Sequence, residues 1–385
     1  MYYLYGQVIS DGKIYKDQYV EIKDGVIRYV GDIKRNDWHV YQVECGYICP
    51  GLVDIHIHAV DGFDFTDEDG EVFSEIAKRL PKYGVTSFLA TSRTLSKAGL
   101  TRFLHSADSY LEEENSSRML GTHIEGPWIS NKYKGAQPEE YIRRLTWGDV
   151  KEVIKPYKRV VQKITIAPEE VGDYAILSYL NRLGITLSAG HTNATLDDIG
   201  RAIEFGLNQI THTFNAMSPV HHREPGAAAA ALYYPRLICE VIPDGVHVHS
   251  KIIELLYRIK GKEKVALISD CTGYNNLDDG EYFIRNKQLI KKDNEVTLTS
   301  GNLAGSSQTL DKGVQYAVKE CNIPIEEAIY MATRTPLEAL NIEEKLGRIS
   351  TGYKADIVIL NDELAVEKTI INGELVYERC VEDGD

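Results

Sequence analysis

Eight short apolar stretches recur along the chain with a polar loop and a helix-like stretch between successive ones, and this alternation limits the fold more than any other feature. The stretches are LVDIHIH, VTSFLAT, MLGTHIEG, VVQKITIAP, ITLSAGH, NQITHTF, RLICEVIPDG and KVALISDC. Each contains a run of strand length. Between them, VFSEIAKRL puts Val72, Phe73, Ile76, Ala77 and Leu80 on one helical face, and Thr195 with Asp198 resembles a capping box that opens another helix. A parallel strand pair needs a crossover, and a helix supplies it. Eight such units over about 220 residues from Pro50 predict an α/β fold, a (β/α)8 TIM-like barrel.

The chain ends read differently. YVEIKDGVIRYVG alternates around an Asp24-Gly25 turn signal, and ADIVILND and KTIINGELVY carry an Asn372-Gly373 hairpin signal. Residues 1–49 and 341–385 are therefore expected to share one small β-sandwich-like domain, with residues 50–340 forming the barrel.

The first barrel strand poses a chemical problem. In PGLVDIHIHA, strand alternation puts Asp54, His56 and His58 on one side and Val53, Ile55 and Ile57 on the other. Burying three titratable groups in a row is costly unless something pairs them, and two imidazoles aimed at one point suit a metal ion. The later strands also end in polar residues, at the carboxyl ends where a barrel places its active site. Glu125 comes from the third, His191 from the fifth, His212 from the sixth and Asp270 from the eighth. Four imidazoles and two carboxylates converging from different strands point to a metal centre.

Composition narrows the partners. The chain of 385 residues carries a net charge of −14 and no basic run to offset it, which argues against nucleic acid or an anionic membrane and favours a small substrate. No apolar run reaches the length of a membrane span, and MYYLYGQVISDGKIY lacks the features of an export signal, so a cytoplasmic location is expected. The six cysteines are too scattered for a disulfide framework and are expected to be buried free thiols.

The motifs PGLVDIHIHA, GTHIEGPWISNKYKGA, LSAGHTNAT, THTFNAMSPVHHREPG, VIPDGVHV and LISDCT, in this order and spacing, resemble the N-acetylglucosamine-6-phosphate deacetylases of the amidohydrolase superfamily. With GRISTGYKADIVIL the resemblance covers almost the whole chain. It implies hydrolysis of N-acetylglucosamine 6-phosphate to glucosamine 6-phosphate and acetate, usually by a homodimer. It also implies one or two divalent metal ions, zinc or iron before manganese or cobalt. Glu125, His191 and His212 would hold one, and His56 and His58, with Glu125 bridging, a second. The resemblance maps sugar and phosphate contacts to Asn215, Ala216, Arg223 and His247, with Arg223 reaching across a dimer interface.

Two positions depart from the family pattern. Where that pattern ends KKGAH or KKGTH, with a histidine touching the substrate near the acyl carbonyl, this chain reads NKYKGAQ and has Gln137. Glutamine donates a hydrogen bond but carries no charge. Arg93 in ATSRT stands where an uncharged residue is more usual, and it could meet a substrate anion or pair with a loop acid. Both leave the acyl group and the sugar epimer open.

Amide hydrolysis needs an activated water, a polarised carbonyl and a proton for the departing amine. Metal supplies the first two, and Asp270 is placed to take the water's proton and return it to the amine. A second reading is a cyclic-amide or other N-acyl hydrolase, several of which bridge two metals with a carbamylated lysine; Lys163 lies early in the fourth strand. A third is a catalytically silent scaffold, which has no need to keep six such groups together. His123, His221, His222 and His249 are assigned no role in the chemistry.

Overall fold

The computed structural model describes residues 1–67, 71–111, 116–285, 287–342 and 345–380. Eight parallel strands follow one another round the barrel: Leu52–Ile57, Val85–Ser92, Arg118–Glu125, Val161–Ile166, Thr186–Ala189, Leu207–Ile210, Ile238–Val241 and Val265–Leu267. Beyond the eighth strand, the first and last segments close through Asp270 N–H donating to the His56 carbonyl at 2.9 Å and His58 N–H donating to the Cys271 carbonyl at 3.0 Å. The closing bonds thus lie at residues that the sequence marks as candidates for the chemistry.

The first strand shows why its sequence alternates. Val53 and Ile55 turn outward into an apolar cluster with Ile238, Ile268, Leu337 and Leu340, while Asp54 and His56 turn inward and are equally buried. Helices wrap the outer face. Val72–Arg79 buries Val72, Phe73, Ile76 and Ala77, and Leu196–Glu204 starts with the Thr195/Asp198 capping box. Among the described residues no helix is long and apolar enough to cross a membrane.

Strands from both chain ends build a single eight-stranded sheet. Its central order runs from Val366–Ile371 through Ile357–Leu360 and Tyr47–Pro50 to Tyr2–Ser10 and Lys13–Lys23. The sheet folds over a core of its own, in which Leu4, Val20 and Ile27 meet Ile357, Ile359 and Ile370. Both turn signals are used: Asp24 and Gly25, and Asn372 and Gly373, all have positive φ, the geometry that matches the twist of a tight hairpin. All six cysteines are free. Four are buried, whereas Cys45 and Cys380 are exposed, contrary to expectation.

The sequence pattern did not reveal a three-stranded antiparallel sheet, Gly280–Ile284, Lys287–Lys292 and Glu295–Leu298, inserted after the eighth strand. It has a small core of Tyr274, Leu289, Val296 and Ala304. The turn that follows it, residues 301–305, borders the cavity described next.

Candidate metal centre and substrate cavity

His191, His212 and Asp270 sit just past the ends of their strands with φ of +46°, +29° and +47°. Left-handed backbone at a residue other than glycine costs about 1–3 kcal/mol and persists where the surroundings demand it. Here it accompanies side chains gathered on one carboxylate. Glu125 Oε1 lies 3.3 Å from His56 Nε2, 3.4 Å from His191 Nε2 and 3.2 Å from His212 Nε2, and its Oε2 lies 3.3 Å from His58 Nε2. Asp270 Oδ1 faces the same pair from the other side, 3.5 Å from His56 Nε2 and 3.2 Å from His58 Nε2. Two overlapping groups have ligand atoms mutually close enough for one ion each: His56, His58 and Glu125, and Glu125, His191 and His212.

The electrostatics favour a cation. Burial would neutralise His56, but Asp270 and Glu125 outweigh it and push the imidazole up to about 10. Burial likewise favours neutral carboxyls, yet His56 and His58 hold Asp270 well below the usual carboxylate range, and His56 and His191 do the same for Glu125. Both acids therefore stay ionised in a dry site. His56 Nε2 is buried without a hydrogen bond of proper geometry, aimed between two carboxylates. Imidazole nitrogens and carboxylate oxygens converging in this way fit a divalent ion, whose binding releases the imidazole protons.

Behind this cluster lies a layer of supporting contacts. Glu240, in the seventh strand, has Oε2 at 3.2 Å from His56 Nδ1, and its other oxygen pairs with the Lys163 ammonium. Lys163 is thereby committed to Glu240 and is not available as a bridging ligand. His191 Nδ1 lies 3.0 Å from the Tyr133 carbonyl. Asp54 accepts the His56 and Ser269 N–H groups at 3.2 and 3.4 Å, and burial pushes its carboxyl up to about 6. His123 lies deeper, bonded to Thr165 Oγ1 at 2.7 Å, and burial holds it neutral. His249 caps the helix Ser250–Lys260. Sequence reasoning missed Glu240, although an acid in the middle of the apolar run LICEVI was a usable signal; the Tyr133 carbonyl left none.

The cluster opens into a cavity of about 520 Å³ bordered by Gln137, Asn215, Ala216, His247, Arg93 and residues 301–305 as well as the six groups' exposed members. Gln137 donates from Nε2 to Glu125 Oε2 at 2.7 Å and accepts Thr94 N–H at 2.8 Å. His247 Nδ1 lies 2.6 Å from Asp244 Oδ2; burial lowers its pKa, but Asp244 more than reverses this and raises it above the usual histidine value. Arg93 reaches the cavity wall with its guanidinium held by buried Asp64, Nε to Oδ2 at 2.8 Å, so the pairing with a loop acid is the one realised. Arg223 is not brought to the cavity of its own chain. It lies exposed, its guanidinium 2.8 Å from His222 Nε2.

Comparison with known proteins gives a consistent result. Residues 47–376 match the family model described as Amidohydrolase family. The chain is 33% identical over 332 residues to the N-acetylglucosamine-6-phosphate deacetylase of Vibrio furnissii, spanning 86% of this chain and 83% of that one. It is 31% identical over 381 residues to the enzyme of the same name from Bacillus subtilis (strain 168), spanning 96% and 95%. The crystal structure of N-acetylglucosamine-6-phosphate deacetylase from Thermotoga maritima superposes with a TM-score of 0.87 at 32% identity, covering 97% of this chain and 99% of that one.

Proposed function

We propose, on the premise that the chain belongs to the amidohydrolase family and within it to the N-acetylglucosamine-6-phosphate deacetylases, that it hydrolyses N-acetylglucosamine 6-phosphate to glucosamine 6-phosphate and acetate. The observation that carries this reading is Glu125 at the centre of four imidazoles, with Asp270 facing them at the mouth of a cavity that also presents His247. Glu125, His191 and His212 would hold one divalent ion and His56, His58 and Glu125 a second. Zinc or iron is the first choice, and manganese or cobalt suits the same donors. Bound there, such an ion lowers the pKa of a water and polarises the acetamide carbonyl.

The chain's own groups supply the rest. Asp270, kept ionised by His56 and His58, accepts the proton of the attacking water and passes it to the amine as the C–N bond breaks. Gln137 restrains Glu125 and leaves a neutral edge where the acyl group would lie. Asn215 and Ala216 offer amide and backbone contacts to the sugar, and His247, its pKa raised by Asp244 so that the charged ring is favoured, meets the phosphate. We assign Arg223 to the cavity of a second protomer in a homodimer. Its exposure supports this, as does the helix Ser250–Lys260, which leaves Ile252, Leu255 and Ile259 exposed at helical spacing.

The test is acetate release from N-acetylglucosamine 6-phosphate, N-acetylgalactosamine 6-phosphate and unphosphorylated N-acetylglucosamine. A phosphorylated sugar should exceed the unphosphorylated one by at least about 100-fold in kcat/KM, the scale of a lost charge-assisted contact. Equal values would remove the phosphate assignment, and no acetate from any of them would remove the deacetylase reading.

A further inference from the structure

The proposed ligands and proton carrier do not account for the most deeply buried charges in the barrel. Lys163 in the fourth strand and Glu240 in the seventh have no exposed side-chain surface, and they pair with each other. Glu240 Oε2 lies 3.2 Å from His56 Nδ1 and also accepts the His212 backbone N–H at 3.4 Å. In the neutral form that binds a metal, the imidazole has one proton for two nitrogens, and a carboxylate can only accept, so Glu240 holds that proton on Nδ1. The lone pair on Nε2 is left directed at Glu125 and Asp270, 3.3 and 3.5 Å away.

The four imidazoles differ in how they are held from behind. His191 Nδ1 faces the Tyr133 carbonyl, whereas the buried Nδ1 atoms of His58 and His212 have no hydrogen-bond partner. Each proposed metal position therefore contains one ring fixed from outside, and only His56 is fixed by a charged group. An ion pair buried this deeply is a poor device for stability, since apolar residues of like volume serve as well or better. Its place directly behind His56 gives it another use.

We infer that Glu240, neutralised by Lys163, is a positioning residue that acts through His56 and sets the affinity of the second metal position, the one built from His56, His58 and Glu125. This rests on the metal-hydrolase reading above. The position built from Glu125, His191 and His212 has its own support in the Tyr133 carbonyl, and Glu240 touches it only through the longer 3.4 Å contact to the His212 backbone, not through an imidazole.

The experiment uses the full chain, stripped with a chelator and titrated with Zn²⁺ in competition with a chromophoric chelator. Two variants are compared with the wild type. Glu240→Gln keeps the shape and removes the charge; Lys163→Met with Glu240→Leu removes both charges and leaves neither unpaired, and unfolding of the metal-free protein shows that it is folded. The wild type should take up two equivalents. In both variants one constant should be unchanged and the other should fall 10- to 100-fold and become the weaker, roughly the loss seen when a supporting acceptor is removed from a ligating histidine. The Co²⁺ absorption of the weaker site should fade in parallel. Unchanged constants in the folded double variant overturn the inference, as does an equal loss at both positions, which marks a merely structural role. Fewer than two equivalents in the wild type overturns it as well, and none at all overturns the metal reading on which it rests.

Discussion

Replacing Asp64 by asparagine tests how the cavity mouth is held together. Asp64 is fully buried and its Oδ2 accepts Arg93 Nε at 2.8 Å, while Oδ1 accepts the Thr66 N–H and hydroxyl at 2.9 and 2.6 Å. Arg285, from the inserted sheet, lies 3.9 Å from the same Oδ2 and is itself anchored to Asp67 at 2.8 Å and to the Gly62 carbonyl at 3.0 Å. One carboxylate thus ties the end of the second barrel strand to the sheet whose following turn borders the cavity. Burial alone would raise its pKa, but Arg93 and then Arg285 reverse this and bring it from 3.8 down to about 2. At about 1.4 kcal/mol per pH unit, the ionised form contributes about 2 kcal/mol to stability. Asparagine also leaves Arg93 facing an amide, so a total loss of about 2–4 kcal/mol is expected, below the full cost of breaking a wholly buried pair because Arg93 is partly exposed.

The assay is urea unfolding of both proteins from pH 7 to pH 2.5. A depressed carboxylate stabilises fully above its ordinary pKa, and that contribution is lost as pH falls through the folded value. The gap between wild type and Asp64→Asn should therefore hold from pH 7 to about pH 5, start to close below about pH 4 and still be closing at pH 2.5, where about a third of the ionised form's contribution remains because the folded value is about 2. The variant should also lose kcat/KM, because Arg93 and residues 301–305 border the cavity, while its metal content stays normal. A gap under about 0.5 kcal/mol at pH 7, or one that ignores pH, refutes the reasoning.

Four further outcomes are expected. Asp270→Asn should keep the fold and lower kcat by about 10²–10⁴, because an amide cannot shuttle a proton; a loss of only a few-fold removes Asp270 as proton carrier. His247→Asn should raise KM for the phosphorylated sugar alone by about 10-fold or more. Because Asp244 raises the His247 pKa against burial, the wild-type KM should be lowest near and below pH 6.5 and climb as the ring loses its proton at higher pH, so a flat profile to pH 9 counts against the assignment. Gln137→Ala frees Glu125 Oε2 and should cost about 10-fold in kcat/KM, and Gln137→His should recover most of it if donation to Glu125 is what matters. Chelation should abolish acetate release and Zn²⁺ should restore it; full turnover by metal-stripped protein would exclude the metal centre.

The parts of the molecule that were legible in sequence are those governed by short-range periodicity. A period of two within LVDIHIH says which residues share a face, and a barrel sends one face inward, so His56 and His58 could be placed beside Glu125, His191, His212 and Asp270 before any coordinate was known. The same logic fails for residues 280–298. Their apolar positions are interleaved with charges, and Phe283 is 74% exposed, so among the described residues there is no continuous buried face for a pattern to report. Arg93 could be seen to face the mouth, but whether it met a ligand or an acid depended on Asp64, on a separate hairpin with no local mark of pairing. Arg223 shows the reverse limit, since the role proposed for it in a second protomer leaves no mark in its own chain beyond a contact with His222.

Glu240 is the most instructive of these failures. An acid in the middle of an apolar strand contradicts the pattern around it, and burying it alone would cost several kcal/mol. The contradiction is itself the signal, because such a residue must find a cation on another strand, and Lys163 is the one basic residue in the equally apolar VVQKITIAP. A strand pattern can therefore announce that a buried partner exists. Only the closed barrel shows that the pair meets directly behind His56, a candidate metal ligand.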